Sequence, residues 1–495
     1  MILFVDGHPY HYEMENLCRV FLPYEDIDTV YGTPDEDEPE TEITAYTGMK
    51  EQGGSLCLSV GLSMGGKQRK AEQTVPKEIL EQDKEAERIL AVLLFSLFVE
   101  QCGHRPQWGI LTGVRPIKLL RRLCEQMGRA EAIEHFQSGF LVTPQKTKLS
   151  RITMDNEQTI LSRSRRESYS LYVSIPFCPT RCAYCSFVSQ SVDKAVRLMP
   201  EYVELLCREL EATAQVANEL GLHLESAYIG GGTPTTLAPE QLDRLLSVIC
   251  KNFPVEACRE FTVEAGRPDT VTPERLAVLK RYPVTRISIN PQTMNDTVLE
   301  RIGRYHTTQQ TLDAFRLARS MGFDNINMDL IAGLPGDTEE SYQNTLEQVL
   351  RLAPESITVH TLALKRSSRL NQSERAGFDP DAAAAAWMLD FTGENLFSAG
   401  YEPYYLYRQS RMVGNLENTG WAKPGCYSDY NVYVMDETHT ILACGAGAVS
   451  KVKDPTSDTL RRIFNFKFPY EYVSRHEEMI SRKKQVKELY DQFRK

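Results

Sequence analysis

No run of this chain is apolar for long enough to span a bilayer. The longest, ILAVLLFSLFV at 89–99, is about half the ~20 residues that a membrane-crossing helix needs, so it predicts a buried helix instead. Also missing is the basic stretch followed by an apolar one that opens a secretory signal. The sequence begins MILFVDGHPYHYEMEN, and the expected compartment is the cytoplasm. Basic residues are outnumbered, 56 Lys and Arg against 67 Asp and Glu, for a net charge of -11. That balance argues against nucleic acid or an anionic membrane as a general partner. The acidic run DEDEPETE at 35–42 reads as a solvated loop.

In a reducing compartment the twelve cysteines are not expected to form structural disulfides. Nine of them (Cys18, Cys57, Cys102, Cys124, Cys207, Cys250, Cys258, Cys426 and Cys444) are scattered and read mostly as small core residues. The other three, Cys178, Cys182 and Cys185, stand in IPFCPTRCAYCSF (175–187) as a C-x3-C-x2-C run directly after a short apolar strand. No fourth Cys or His lies nearby on the sequence, since SFVSQ follows Cys185. A structural zinc site closes with four ligands. Three thiolates on a four-iron cluster leave one iron open to a non-protein ligand, which is useful where something must bind and react. The missing fourth ligand therefore weighs against zinc and for chemistry.

From residue 170 the chain alternates. Six apolar segments (SLYVSIPF, SAYIGGG, EFTVEAG, RISINPQ, NINMDLIAGLP and SITVHTLAL) are separated by helical patterns at 199–220, 239–253, 272–282, 307–322 and 338–353. Such β-α repeats predict an α/β fold on a parallel sheet, and strands this uniformly apolar predict burial on both faces. Function in that architecture gathers at the strands' C-terminal ends. Upstream, two short strands, a Gly-Gly hairpin at about 54–76 and helices over 83–127 predict a small α/β domain, which the polar LSRSRRES at 161–168 bounds. The expected domains are 1–164, 165–370, and a substrate-covering α+β extension over 371–495.

Polar residues accumulate at the predicted strand ends. The second strand ends in GGGTPT, Gly230 to Thr235, whose glycines let main-chain N–H groups approach a charged ligand. Glu264, Gln292 and Asp329 end the third, fourth and fifth. Polar groups on apolar strands are costly to bury unless a ligand or partner satisfies them. Singly each reads as a structural hydrogen-bonder, whereas three in register at one end read as a binding site.

Taken in order, these motifs resemble a known family. The cysteine run, after a strand and followed by an aromatic, is similar to the signature of the radical S-adenosylmethionine enzymes. With GGGTPT, NPQTMNDTVLERIGRYHT, MDLIAGLPG and the GAGA of Gly445 to Ala448, residues 165–480 resemble the oxygen-independent coproporphyrinogen III oxidase family. The resemblance implies a partial (β/α)6 barrel and a [4Fe-4S] cluster on Cys178, Cys182 and Cys185. It also implies S-adenosylmethionine held by Tyr172 beside the cluster, by Gly231, Gly232 and Thr233, and by Glu264, Gln292, Arg304, Asp329 and Ala363. The implied reaction uses an electron from a low-potential donor such as flavodoxin or ferredoxin to form a 5'-deoxyadenosyl radical. Two propionates of coproporphyrinogen III are then oxidatively decarboxylated to give protoporphyrinogen IX.

Arg408 and Arg411, with Lys365 and Arg366, are the candidate partners for those propionates, because guanidinium binds carboxylates bidentately. Tyr404, Tyr405 and Tyr407 read either as pocket lining or as core packing. The N-terminal domain, WGILTGVRPIK and YYLYRQSRMVGNLENTGWAKPG (404–425) resemble the longer, HemZ-type branch of coproporphyrinogen dehydrogenases. Phe187 stands where the oxidase proper has another cysteine, as it does in the haem-chaperone branch. That branch carries an HNxxYW haem motif where this chain reads YNVYVM, 430–435. The resemblance thus favours a porphyrinogen enzyme, with a haem-trafficking protein that retains the cluster as the alternative.

Overall fold

The computed structural model describes residues 1–34, 43–82, 84–187, 189–364, 381–409 and 411–493. The acidic loop at 35–42, Lys365 and Arg366 lie outside the described residues. Two compact units are present, Met1–Arg151 with Arg408–Leu416, and Ile152–Tyr407 with Glu417–Lys495.

The first unit rests on a five-stranded sheet. β1 (Ile2–Asp6) runs parallel to β2 (Asp28–Tyr31) and β3 (Thr44–Gln52), and β4 (Ser55–Met64) and β5 (Lys67–Pro76) follow antiparallel. The two-residue turns Gly53–Gly54 and Gly65–Gly66 have positive φ throughout, the conformation that matches the twist of a hairpin and that glycine adopts without strain. β4 alternates buried and half-buried positions, the period of a strand covered on one face. The helix Glu85–Cys102 supplies the cover, with Leu90, Leu94, Phe95 and Phe98 at most 2% exposed. The apolar run at 89–99 is therefore a core helix.

The second unit contains the six predicted parallel strands. They are β6 (Ser168–Ile175), β9 (His223–Gly231), β10 (Glu260–Glu264), β11 (Arg286–Ser288), β12 (Ile326–Ala332) and β13 (Ser356–Thr361), paired in that order. Among the described residues the short β7 (Phe177–Cys178) and β8 (Gln190–Ser191) pair only with each other. Helices Met199–Glu219, Pro239–Asn252, Pro273–Lys280, Thr308–Ser320 and Glu339–Leu352 make the crossovers. Thr272, Thr307 and Thr338 start the last three by accepting a hydrogen bond from the first helical turn.

β6 and β13 are not paired with each other among the described residues, so the six strands form an open, partial barrel. Residues from 402 onward extend the same sheet at both edges. Beyond β13 lie β15 (Asn418–Ala422) and β14 (Glu402–Tyr407), both antiparallel to their neighbours. Beyond β6 lie a parallel β16 (Thr440–Cys444) and antiparallel β17 (Val449–Lys453) and β18 (Leu460–Phe464). Among the described residues no helix is long and apolar enough to cross a membrane.

Candidate functional site

The buried strands of the second unit expose single residues along one interior face. In β6 only Tyr172 departs from full burial, in β10 only Glu264, in β12 Asn327 and Asp329, and in β13 only His360. β9 adds Tyr228 and Gly231. A pleated strand turns alternate residues to the same side, which is why Asn327 and Asp329 appear together. Tyr172 and Tyr228 are direct cross-strand neighbours, and their rings stack with that of Tyr430, 4.5 Å from Tyr228 and 6.2 Å from Tyr172.

Two carboxylates in this mouth are set differently. Tyr228 donates to Glu264 Oε1 at 2.6 Å. Burial nevertheless pushes Glu264 up to about 7, with the charge of Asp329 adding to the effect. Burial presses Asp329 in the same direction, but His360, Asn327 and Thr358 together hold it below the usual carboxylate range. Asn327 Nδ2 donates to Asp329 Oδ1 at 2.7 Å, and His360 Nε2 lies 3.9 Å from Oδ2. Separated carboxylate states of this kind are common where a ligand has to be recognised or a proton handled.

The cysteine loop is gripped from both sides. Gly232 N–H donates to Ile175 O at 2.8 Å and Thr233 N–H to Phe177 O at 2.7 Å, which fastens GGGTPT along the loop. A Cβ on Gly232 would fall 2.5 Å from the Phe177 carbonyl oxygen, and one on Gly231, at φ 103°, 2.9 Å from Ser174 Oγ. Only glycine permits so close a passage of backbone against backbone. On the far side Thr180 Oγ1 donates to Gly303 O at 3.0 Å and Ala183 N–H to Ile302 O at 2.9 Å. Cys182 is buried, and Cys178 and Cys185 are half-buried.

Burial raises the Cys178 thiol above its ordinary value and pushes Cys185 up to about 12, with the neighbouring Cys182 adding to both. Bound iron supplies the positive charge that would make them thiolates in such a setting. Among the described residues no three of His, Cys, Asp or Glu converge closely enough to hold a single ion. A cluster asks only for one thiolate per iron, and three soft sulfurs on a loop edged by glycines fit that requirement.

Gln292 and Arg304 stand beside the same mouth. Gln292 has φ 68°, a left-handed conformation that costs a non-glycine residue on the order of 1 kcal/mol and collects at functional sites. Its N–H donates to Asp329 O at 2.9 Å and its carbonyl accepts from Ile331 at 3.0 Å, so β12 holds the strained turn in place. Arg304 is 5% exposed and donates to the carbonyls of Asn290 and Gly266, while its Nε has no hydrogen-bond partner among the described residues. Ala363 is half-buried just past β13, after Leu362, whose N–H donates to Ala332 O at 3.0 Å.

Thus Tyr172, the glycine turn, Glu264, Gln292, Arg304, Asp329 and the three thiols gather at the strands' C-terminal ends. Arg408 and Arg411 belong to the first unit. The Arg408 fork donates to the carbonyls of Leu111, Gly113 and Asn415 and lies over the Trp108 ring, so it clamps main chain. Tyr404 and Tyr405 are under 5% exposed, and Tyr404 stacks on Tyr427 at 5.2 Å, which is core packing. Phe187 is 60% exposed.

Sequence pattern did not single out Tyr228, Arg267 or His306. Tyr228 carries the strand-face parity that could have found it. Arg267, 2% exposed, donates to Thr180 and towards Cys182 Sγ at 3.8 Å. His306, in the GRYH stretch, is 2% exposed with neither ring nitrogen partnered among the described residues, and burial beside Arg304 and Arg267 pulls it down to about 3.

The chain is similar to known proteins over most of its length. The radical SAM superfamily model matches residues 172–349. The "Oxygen-independent coproporphyrinogen-III oxidase-like protein HemZ" of Bacillus subtilis (strain 168) is 33% identical over 98% of this chain and 97% of its own. The "Heme chaperone HemW" of Lactococcus lactis subsp. lactis is 31% identical over 64% of this chain and 79% of its own. Among solved structures, the coproporphyrinogen III oxidase HemN from Escherichia coli shares the fold with a TM-score of 0.52, at 24% identity over 65% of this chain and 72% of that one.

Proposed function

Because the chain belongs to the oxygen-independent coproporphyrinogen III oxidase-like family of radical S-adenosylmethionine proteins, we propose that it oxidatively decarboxylates two propionates of coproporphyrinogen III to vinyl groups. The superfamily's cofactors are a [4Fe-4S] cluster and S-adenosylmethionine. Coverage carries the proposal: the oxidase-like relative is matched across 98% of the chain, first unit included, and the Lactococcus haem chaperone across 64%. Tyr430 supports it. It begins the YNVYVM stretch that stands in place of a haem-binding histidine motif. Its ring, 7% exposed, is packed on Tyr228 and offers no nitrogen to a haem iron.

In this reading Cys178, Cys182 and Cys185 hold the cluster, and Gly231, Gly232 and Thr233 approach the methionine end of the second cofactor. Tyr172 stands beside the cluster, and Glu264, Gln292, Arg304, Asp329 and Ala363 surround S-adenosylmethionine. The bound cofactors supply a carbon-centred radical that removes hydrogen from the substrate; the chain positions, orients and excludes water. Glu264 accepts an ammonium once its own proton has left, and Asp329, already ionised, accepts hydrogen bonds from neutral or cationic donors. The remaining partners are a low-potential reductant for the cluster and a one-electron acceptor for the electron released when the substrate radical loses carbon dioxide.

The test is anaerobic incubation with coproporphyrinogen III, S-adenosylmethionine and a low-potential reductant, followed by chromatography of the oxidised porphyrins. Loss of two carboxyl groups and formation of 5'-deoxyadenosine, both dependent on Cys178, are expected. The haem-chaperone relatives favour a second reading, haem trafficking. It takes over if 5'-deoxyadenosine accumulates without decarboxylated porphyrin while haem binds one to one.

A further inference from the structure

Arg267 lies between the third strand's end and the cysteine loop, and the placement of its charge is unusual. It follows Gly266 just past β10 and its side chain is 3% exposed. One edge of the guanidinium is bound by Asp269, Nε to Oδ1 at 3.0 Å and Nη2 to Oδ2 at 3.1 Å. The remaining arm, Nη1, turns to the loop, donating to Thr180 Oγ1 at 3.1 Å and reaching Cys182 Sγ at 3.8 Å. Thr180 is itself anchored on Gly303 O at 3.0 Å, so the arm cannot swing away without loosening the loop. Burying a guanidinium is costly without a full set of partners. Here the chain supplies a bidentate carboxylate on one side and directs the other at a sulfur.

We infer that Arg267 sets the reduction potential of the cluster through this N–H···S contact. The inference rests on the proposed role of Cys182 as a cluster ligand. Reduction adds one electron from an external low-potential donor, and the added negative charge spreads onto the ligating sulfurs. A donor and a cation beside a sulfur stabilise the reduced form more than the oxidised one, and hydrogen bonds to sulfur are among the levers that tune such clusters. Arg267 therefore makes the cluster easier to reduce. Asp269, which partly neutralises it, makes the cluster harder to reduce. Arg267 is a positioning and tuning residue, since it acts through Cys182.

The opposite signs give the test. Redox titrations of the iron-loaded protein, followed by the paramagnetic signal of the reduced cluster, are run on wild type, Arg267→Gln, Arg267→Lys and Asp269→Asn, with iron content measured alongside. Arg267→Gln should lower the reduced-to-oxidised ratio at fixed poise about tenfold, which for a one-electron couple is about 59 mV. Arg267→Lys, which keeps the charge and loses the fork, should fall between that variant and wild type. Asp269→Asn should move the midpoint the other way. If Arg267→Gln holds no cluster, Asp269→Asn decides alone. Unchanged midpoints with full iron content, or a downward shift in Asp269→Asn, overturn the inference. Wild-type protein that assembles no four-iron cluster would instead overturn the cluster assignment on which it rests.

Discussion

Glu209 and Glu264 belong to the same unit and meet opposite surroundings. Glu209, on the helix Met199–Glu219, is 0% exposed and receives Lys483 Nζ at 2.6 Å, Tyr472 Oη at 2.6 Å, Asn465 Nδ2 at 2.7 Å and the Gly445 N–H at 2.8 Å. Burial alone would raise it, but the ammonium and these donors hold it below its ordinary value. Lys483 completes its own set on Ala443 O at 2.6 Å. Glu264 has Tyr228 and the Gly231 amide, is half-buried at the mouth, and is pushed up to about 7. A carboxylate answered by donors from four segments of its own chain ties those segments together, here fixing the GAGA turn between two helices. A carboxylate left short of donors on a solvent-reached face has capacity for a ligand.

Substitutions on the two sides should therefore fail in different ways. The largest effect is expected in the mouth: Cys182→Ala should abolish both the four-iron cluster and S-adenosylmethionine cleavage while the far-ultraviolet circular dichroism stays that of wild type. Full iron content and full cleavage in that variant would break the comparison at its functional end. The next is structural. Glu209→Ala leaves the Lys483 ammonium buried without its counter-ion, and about 3 to 5 kcal/mol of stability should be lost, read by urea denaturation. Replacing both, Glu209→Leu with Lys483→Met, should recover part of that loss because no buried charge remains. A loss under about 1 kcal/mol for Glu209→Ala would mean that the network does not carry the fold.

The sequence exposed the elements whose signals are local. Six apolar strands and five crossover helices were legible because each is a long, uniform pattern, and the helix at 89–99 because an apolar run that short belongs in a core. The three thiols were legible from spacing alone. The edges of the sheet were not: β16 is the five residues TILAC, too short to signal a parallel partner for β6 from more than 260 residues away. Arg408 shows the limit at side-chain level. An arginine in a Tyr-rich stretch looks like a carboxylate clamp. Whether its fork meets a ligand or the carbonyls of Leu111 and Gly113 depends on the tertiary path of another segment. Arg267 was hidden for the same reason, since nothing local ties it to Cys182.

Within the mouth, the remaining polar groups should show their first effect on binding. Arg304→Ala and Asp329→Ala should each weaken S-adenosylmethionine binding by about ten- to a hundredfold, the 1.5 to 3 kcal/mol of a hydrogen bond to a charged group. Calorimetric titration of the cluster-loaded protein reads the affinity, and a thermal melt reads the fold. Wild-type affinity in both variants would remove these two residues from the site.

The smallest effect separates the two glutamates most directly, because their linkage to pH has opposite sign. Glu264 stands near 7 in the folded chain against an ordinary 4.5, so between those values the folded state keeps a proton that the unfolded state gives up. Stability then falls as pH rises through that window, by at most about 1.4 kcal/mol per pH unit, and levels off above it. Glu209 is shifted downward; its contribution is present above 4.5 and is lost as pH falls through its lower folded value. Glu264→Gln should remove the first slope and leave the second. In the same way a cationic ligand favours ionised Glu264. S-adenosylmethionine should therefore bind more tightly at about pH 8 than at about pH 6 in wild type, and nearly equally at both in Glu264→Gln. A wild-type affinity that stays flat across that range would show that Glu264 does not face the ligand's ammonium, and would return it to the same structural role as Glu209.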